Sequence, residues 1–223
     1  MPPGPAIHGS PAQGYFIQPR QGAAQAAPQH AFGSPENGPV ACPMCGESLV
    51  RALRLDTADA RLELPDDSPF LDLWLCATCS MTRYAVSSRG ECLPARSPDA
   101  IQANSPFRTP PPGPVSLHAI PERIQEARTL ARERRLDEAG SWARRFDWHR
   151  PIHQVGGEPI PFDSLSAQPA CDRCGGEMSY LASVVASEAP ECEPLDQPTT
   201  QAIFFNCRPC RAILAQRDSV RID

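Results

Sequence analysis

The chain contains no lysine: all 21 of its basic residues are arginine. The simplest reading of this bias is a GC-rich coding sequence, so no site is drawn from it. Aromatic residues are also scarce, with 8 Phe, 3 Trp and 3 Tyr in 223 residues, whereas Pro and Gly reach 27 and 14. That balance argues against one large core and for small folded units joined by unstructured segments. Excess positive charge is missing too. The net charge of −5 and pI near 5.6 count against a dedicated nucleic-acid binder, because phosphate affinity rests on a basic surface. No apolar run approaches the roughly 18 to 20 residues that cross a bilayer, and the first residues lack the basic start and apolar core of a signal peptide. The expectation is a cytoplasmic protein without membrane contact.

Cysteine, by contrast, is abundant, with ten in the chain. In a reducing compartment such a number is explained by metal more readily than by disulfides. The spacing agrees. Cys42-Pro43-Met44-Cys45-Gly46 is followed, 30 residues after Cys45, by Cys76-Ala77-Thr78-Cys79. Cys171-Asp172-Arg173-Cys174-Gly175 is followed, across 32 residues, by Cys207-Arg208-Pro209-Cys210. Two residues between paired cysteines let one tight turn aim both thiolates at a single ion, and two such turns complete a tetrahedron. Gly46 and Gly175 occupy the position where a left-handed backbone is cheapest for glycine. Cys42, Cys45, Cys76 and Cys79, and Cys171, Cys174, Cys207 and Cys210, are therefore expected to hold two structural Zn2+ ions. Pairing within each half is favoured because it closes the shorter loops.

The halves match beyond the cysteines. Leu49 and Met178 each stand four residues after a Cys-x-x-Cys pair and open strand-like stretches, Leu49 to Leu55 and Met178 to Val185. Acidic, proline-containing loops follow, and then apolar strands, Phe70 to Leu75 and Ala202 to Phe205, return to the second pair. The pattern is that of an internally duplicated, long-looped zinc ribbon whose metal supplies much of the folding free energy. A thioredoxin-like redox pair is the rival, but it belongs at a helix start, and strand signals follow here. Cys92 and Cys192 fall outside the repeat and receive no role.

The expected fold class is α+β and β-rich. It comprises a disordered tail (1–39), an N-terminal zinc-ribbon-like unit (40–93), a Pro-rich linker (94–116), a helical hairpin (117–148) and a C-terminal zinc-ribbon-like unit (149–223). The tail contains Tyr15, Phe16 and Ile17 but no periodicity. The linker contains Pro110-Pro111-Pro112, which favours extension. The hairpin is read from Pro121 at a helix start, from Ile124, Ala127, Leu130 and Ala131 at helical spacing, and from Leu136, Ala139, Trp142, Ala143 and Phe146 beyond a break near Arg135. The eight arginines from Pro121 to Arg150 are interleaved with six acids, the pattern of a solvated face.

Catalytic signals are few. Zinc ligated by four cysteines has no open position for water or substrate. His149 and His153 could add an open site, although two histidines beside Trp148 more often make ordinary hydrogen bonds. Asp66-Asp67 has no second acid placed opposite it, and no phosphate loop or serine-nucleophile motif appears. No catalytic residue is expected, and the chain reads as a non-enzyme.

The run His153-Gln154-Val155-Gly156-Gly157-Glu158-Pro159, followed by Cys171-Asp172-Arg173-Cys174-Gly175-Gly176-Glu177-Met178-Ser179-Tyr180-Leu181-Ala182, resembles the YwqG-like bacterial proteins of unknown function. Phe204-Phe205-Asn206-Cys207 with Cys210 looks like that family's last strand. A related arrangement occurs in programmed cell death protein 2 and its ribosomal-protein chaperone relatives. The resemblance covers about His149 to Arg217; this chain has Pro161-Phe162 where a tryptophan is usual. It implies a β-rich, non-catalytic bacterial protein that handles a protein partner, either a client to be chaperoned or a toxin to be neutralised. The alternatives are a zinc-ribbon accessory factor of transcription or translation that touches nucleic acid, and a metal- or thiol-dependent enzyme.

Overall fold

A computed structural model describes residues 13–20, 29–33, 40–64, 68–103, 106–132, 153–157, 159, 169–186 and 199–220. Among the described residues there are eleven strands: β1 (Tyr15–Pro19), β2 (Ala31–Phe32), β3 (Val50–Asp56), β4 (Phe70–Leu75), β5 (Met81–Val86), β6 (Cys92–Ala95), β7 (Gly113–Ala119), β8 (Gln154–Val155), β9 (Ser179–Val185), β10 (Thr199–Cys207) and β11 (Ala212–Val220). One helix, α1 (Glu122–Arg132), follows Pro121 as expected. The strands form one sheet in the order β4-β3-β2-β7-β1-β8-β9-β10-β11-β5-β6. Every ladder in it is antiparallel.

The sheet curls until β4 comes back beside β5, leaving a nearly closed barrel. Side chains rather than a backbone ladder close that seam. The Trp74 N–H donates to the Tyr84 hydroxyl at 2.9 Å, and the Cys76 N–H donates to Thr82 Oγ1 at 2.8 Å. Donors on the edge of β4 are thereby satisfied without a neighbouring strand. The interior is filled by inward residues such as Ile17, Phe32, Leu53, Leu55, Leu73, Val115, Val155 and Phe204, all buried.

With β6 set aside, the order is matched on either side of the β1/β7 pair, β7-β2-β3-β4 one way and β1-β8-β9-β10 the other, and β11 and β5 pair with each other at the far side. The details repeat as well. Each half has a β-bulge at the same place, leaving Ala52 and Leu181 unpaired. Gly33 and Gly156, both at positive φ, donate to the carbonyls of Ala52 and Leu181 at 3.1 and 2.8 Å. His30 and His153 each accept a backbone N–H at Nδ1, from Asp56 and Val185 respectively, at 3.1 Å. The first strand of each half is exchanged: β1 lies against β8, and β7 lies against β2.

This architecture overturns the expected α+β class with two separate zinc-ribbon units and a helical hairpin. The chain is almost all sheet, and the two cysteine-bearing halves share one barrel. Three local readings failed with it. The supposed tail supplies β1 and β2, because Tyr15 and Ile17 form an alternating strand only when β7 and β8 flank them. The supposed linker supplies the end of β6 and most of β7 and buries Phe107, with Pro94 on an edge strand and Pro114 near the start of β7. Of the hairpin only α1 is described, and residues 117–119 belong to β7; the second expected helix lies outside the described residues. Among the described residues no helix is long and apolar enough to cross a membrane.

Candidate metal centres

Each knuckle is built by a short hairpin that the sequence dictates locally. In the first, Ala41 bridges Ser48, the Cys42 N–H donates to the Glu47 carbonyl at 2.7 Å, and the Gly46 N–H returns to the Cys42 carbonyl at 2.9 Å. The second repeats it. Ala170 bridges Glu177, the Cys171 N–H donates to the Gly176 carbonyl at 2.8 Å, and the Gly175 N–H donates to the Cys171 carbonyl at 2.8 Å. Gly46 and Gly175 have φ of 80° and 70°, where an L side chain is strained. Leu49 and Met178, buried just beyond, anchor the knuckles on the barrel.

The second cysteine pair of each half sits in the turn that ends one strand and starts the next: Cys76 and Cys79 between β4 and β5, Cys207 and Cys210 between β10 and β11. Backbone N–H groups of Thr78 and Cys79 point at Cys76 Sγ, at 3.4 and 3.3 Å. Because β5 and β11 run antiparallel and each begins just after its turn, the two sites lie at opposite ends of that strand pair.

The structure brings all eight expected cysteines together as two sets, Cys42, Cys45, Cys76 and Cys79, and Cys171, Cys174, Cys207 and Cys210. Within each set the sulfurs lie within 4.8 Å of one another. Cys42–Cys79 is 3.9 Å, Cys45–Cys76 is 3.4 Å and Cys174–Cys207 is 3.6 Å. A tetrahedral ion with metal–sulfur bonds of about 2.3 Å requires sulfur–sulfur edges of about 3.8 Å. Disulfides would need about 2.05 Å. The donor sets thus fit two metal ions, with pairing inside each half.

Thiol acidity follows the same geometry. Burial opposes ionisation of Cys42, but the N–H groups of Cys45 and Met44 and the neighbouring thiols outweigh it and leave its pKa below that of a free thiol. At Cys171 burial is likewise outweighed by the N–H groups of Arg173 and Cys174 and the thiols of Cys207 and Cys174, bringing the value to about 7. Burial pushes Cys76 up to about 11 and also raises Cys79 and Cys207. The adjoining Cys174 thiol, more than burial, carries Cys210 to about 12. Cys42 and Cys171 are therefore poised to ionise before Cys76, Cys79, Cys207 and Cys210, which need the ion's charge to lose their protons. Arg217 supplies a positive charge beside Cys76 and Cys79 and donates to the Ala77 carbonyl at 3.0 Å. Arg173 donates to the Cys210 carbonyl at 2.9 Å.

The remaining candidates separate from these sites. His153 is a strut: its Nδ1 accepts from Val185, its ring packs on Phe32 at a centroid distance of 4.5 Å, and burial lowers its pKa to about 4. Cys92 lies half-buried on β6, with its thiol raised to about 12 chiefly by burial. His149, Cys192 and Asp66-Asp67 fall outside the described residues.

Sequence reasoning missed His30, whose Nε2 meets Asp59 at 2.9 Å, with Arg61 closing on the same carboxylate at 2.6 Å. All three stand where loop and strands meet, tying β2 to the segment after β3. A signal was present: His30-Ala31-Phe32-Gly33 repeats the pattern of His153-Gln154-Val155-Gly156, upstream of each first knuckle.

No protein family, curated protein or solved structure matches the chain. The likeness to YwqG-like proteins therefore rests on the motifs themselves.

Proposed function

We propose that the chain is a non-enzymatic zinc protein whose duplicated barrel serves as a protein-interaction module. The observation that carries the zinc reading is the pair of four-sulfur sets with near-tetrahedral spacing. Four thiolates complete zinc's coordination and leave no position for water, so such ions brace a fold rather than perform chemistry. Tetrahedral sulfur sites also accept iron, and metal analysis with visible absorption separates the two: zinc is colourless, whereas iron absorbs strongly.

The interaction reading draws on the motif resemblance, which implies handling of a client or toxin, and on three large apolar side chains left exposed. Met44 is 37% exposed, Leu93 52% and Ile101 70%. Nucleic-acid recognition is the weaker reading because the net charge is −5 and, among the described residues, several arginines are engaged with acids. Arg51 and Arg54 meet Asp72, Arg61 meets Asp59, and Arg83 meets Asp172. The matching bulges and hydrogen bonds of the two halves support an origin by internal duplication. Affinity capture of the full chain from its source cells, with mass spectrometry of retained proteins, tests the function. A stoichiometric protein partner that resists moderate salt supports it. Recovery of nucleic acid with steep salt dependence, or of no partner, overturns it.

A further inference from the structure

The two ends of the barrel are equivalent in strand order yet finished differently. Beside the first site, residues 101–103 and 106–107 lie along the Cys76–Cys79 turn. The Ser80 N–H donates to the Ile101 carbonyl at 2.8 Å, Cys79 bridges Gln102, and the Ala103 N–H donates to the Thr78 carbonyl at 2.8 Å. The segment then turns Phe107 into the barrel end, 4% exposed, where its N–H donates to the Ala77 carbonyl at 2.7 Å. The Arg217 guanidinium lies 5.8 Å from its ring centroid.

Aligning Cys76 with Cys207 makes Ala77 equivalent to Arg208, Ser80 to Arg211 and Val86 to Arg217. The hydrogen bonds confirm this register: the Arg217 N–H donates to the Ser80 carbonyl at 2.8 Å, and the Val86 N–H donates to the Arg211 carbonyl at 2.9 Å. At the second end the place equivalent to that of Phe107 is a cavity of about 40 Å3. Its walls include Phe70, Leu71, Val86, Ala212 and Ile213, with Arg208 at the turn. Asn206 also lines it, and its Oδ1 is buried without a hydrogen-bond partner. The space lies between the roughly 10–15 Å3 that one water needs and the roughly 150 Å3 that takes benzene. It suits the tip of a branched aliphatic side chain.

We propose that this cavity is the docking pocket for an extended peptide of a protein partner, which inserts one small aliphatic side chain beside Cys207 as the chain's own segment inserts Phe107 beside Cys76. The peptide's backbone follows the Cys207–Cys210 turn as residues 101–103 follow the first, and Asn206 Oδ1 accepts one of its N–H groups. Main-chain hydrogen bonds supply orientation and the pocket supplies specificity, the division of labour in strand-addition recognition. The inference rests on the reading of the chain as a protein-interaction module and adds the place and the class of ligand.

The test selects a phage-displayed library of random 12-residue peptides on the full, zinc-loaded chain, with the Asn206→Leu chain as counter-target. The leucine side chain fills the pocket from β10 and removes the amide acceptor; Val86→Phe fills it from β5 if the first variant loses zinc or folding. The expected result is a set of binders sharing one Val, Ile or Leu. Their affinity falls at least tenfold on the filled variant or when that residue becomes Asp, and their amide shift changes centre on Arg208, Arg211 and Ala212. Binders that hold equally well to the filled chain would overturn the pocket and leave the protein-interaction reading standing. Absence of binders on folded, zinc-loaded protein would also overturn the pocket, while partner capture from cells judges the broader reading independently.

Discussion

Shortening Ile17 to alanine tests whether the first strand is part of the barrel. Ile17 is 3% exposed, and β1 joins β7 through five register pairs and β8 through two. Ile→Ala at a buried site costs about 2–5 kcal/mol, from lost transfer free energy and the cavity left behind. In a chain of this size each kcal/mol lowers the melting temperature by about 2–4 °C, so a drop of about 4–20 °C is expected. Gln18 is exposed on the same strand, and Gln18→Ala should stay within about 0.5 kcal/mol of the parent. Calorimetry on the two zinc-loaded variants measures the difference. The melt of Ile17→Ala should remain a single transition, because β1 belongs to one half in sequence and is clasped by the other in space. Equal melting of both variants and the parent would refute the placement of β1. A biphasic melt would refute the shared core.

Cys45→Ser and Cys174→Ser should each lower the bound metal from two equivalents to one, since each breaks one four-sulfur set, as checked by elemental analysis. Both should weaken the whole barrel rather than one half, so hydrogen exchange should rise on β5 and β11 together. Gly157→Ala should destabilise far more than Gly46→Ala in thermal melts. A Cβ at 157 would meet Gly14 Cα and Gln125 Oε1 at 2.5 Å, whereas at 46 it enters open space and costs only the left-handed φ, about 1–2 kcal/mol. His153 titrates near 4 when folded and about 6.5 when unfolded, so the unfolded chain takes up its proton first as pH falls. Stability from this residue is complete above pH 6.5 and declines towards pH 4; His153→Gln, compared with the parent by denaturant unfolding, should flatten that decline.

Both metal sites were legible because a knuckle is a local object. Two residues between cysteines, a glycine after them and an apolar anchor four residues on are short-range requirements, and the grouping of all eight cysteines into two sets followed from them. The strands beside the cysteines were legible for the same reason, since the segment predicted at Phe70 to Leu75 matches β4. Zinc itself, as opposed to a metal with four sulfur ligands, remains the chemical inference from that donor set.

What local pattern could not show is where short strands find partners. Tyr15 to Pro19 and Ala31-Phe32 look like punctuation in a polar tail, because two to five residues bury too little on their own. Their free energy comes from β7, β8 and β3, which lie up to about a hundred residues away or in the other half of the chain. Proline biased the reading of 94–116 towards a linker, yet Pro94 lies on an edge strand and Pro114 is the second residue of β7, positions that strands tolerate. The sequence by itself determined the two four-cysteine sets and their pairing, properties of segments that can be satisfied nearby. Only the tertiary structure decided that the halves exchange first strands and close one barrel, because that choice depends on long-range pairing, which leaves no short-range periodicity to read.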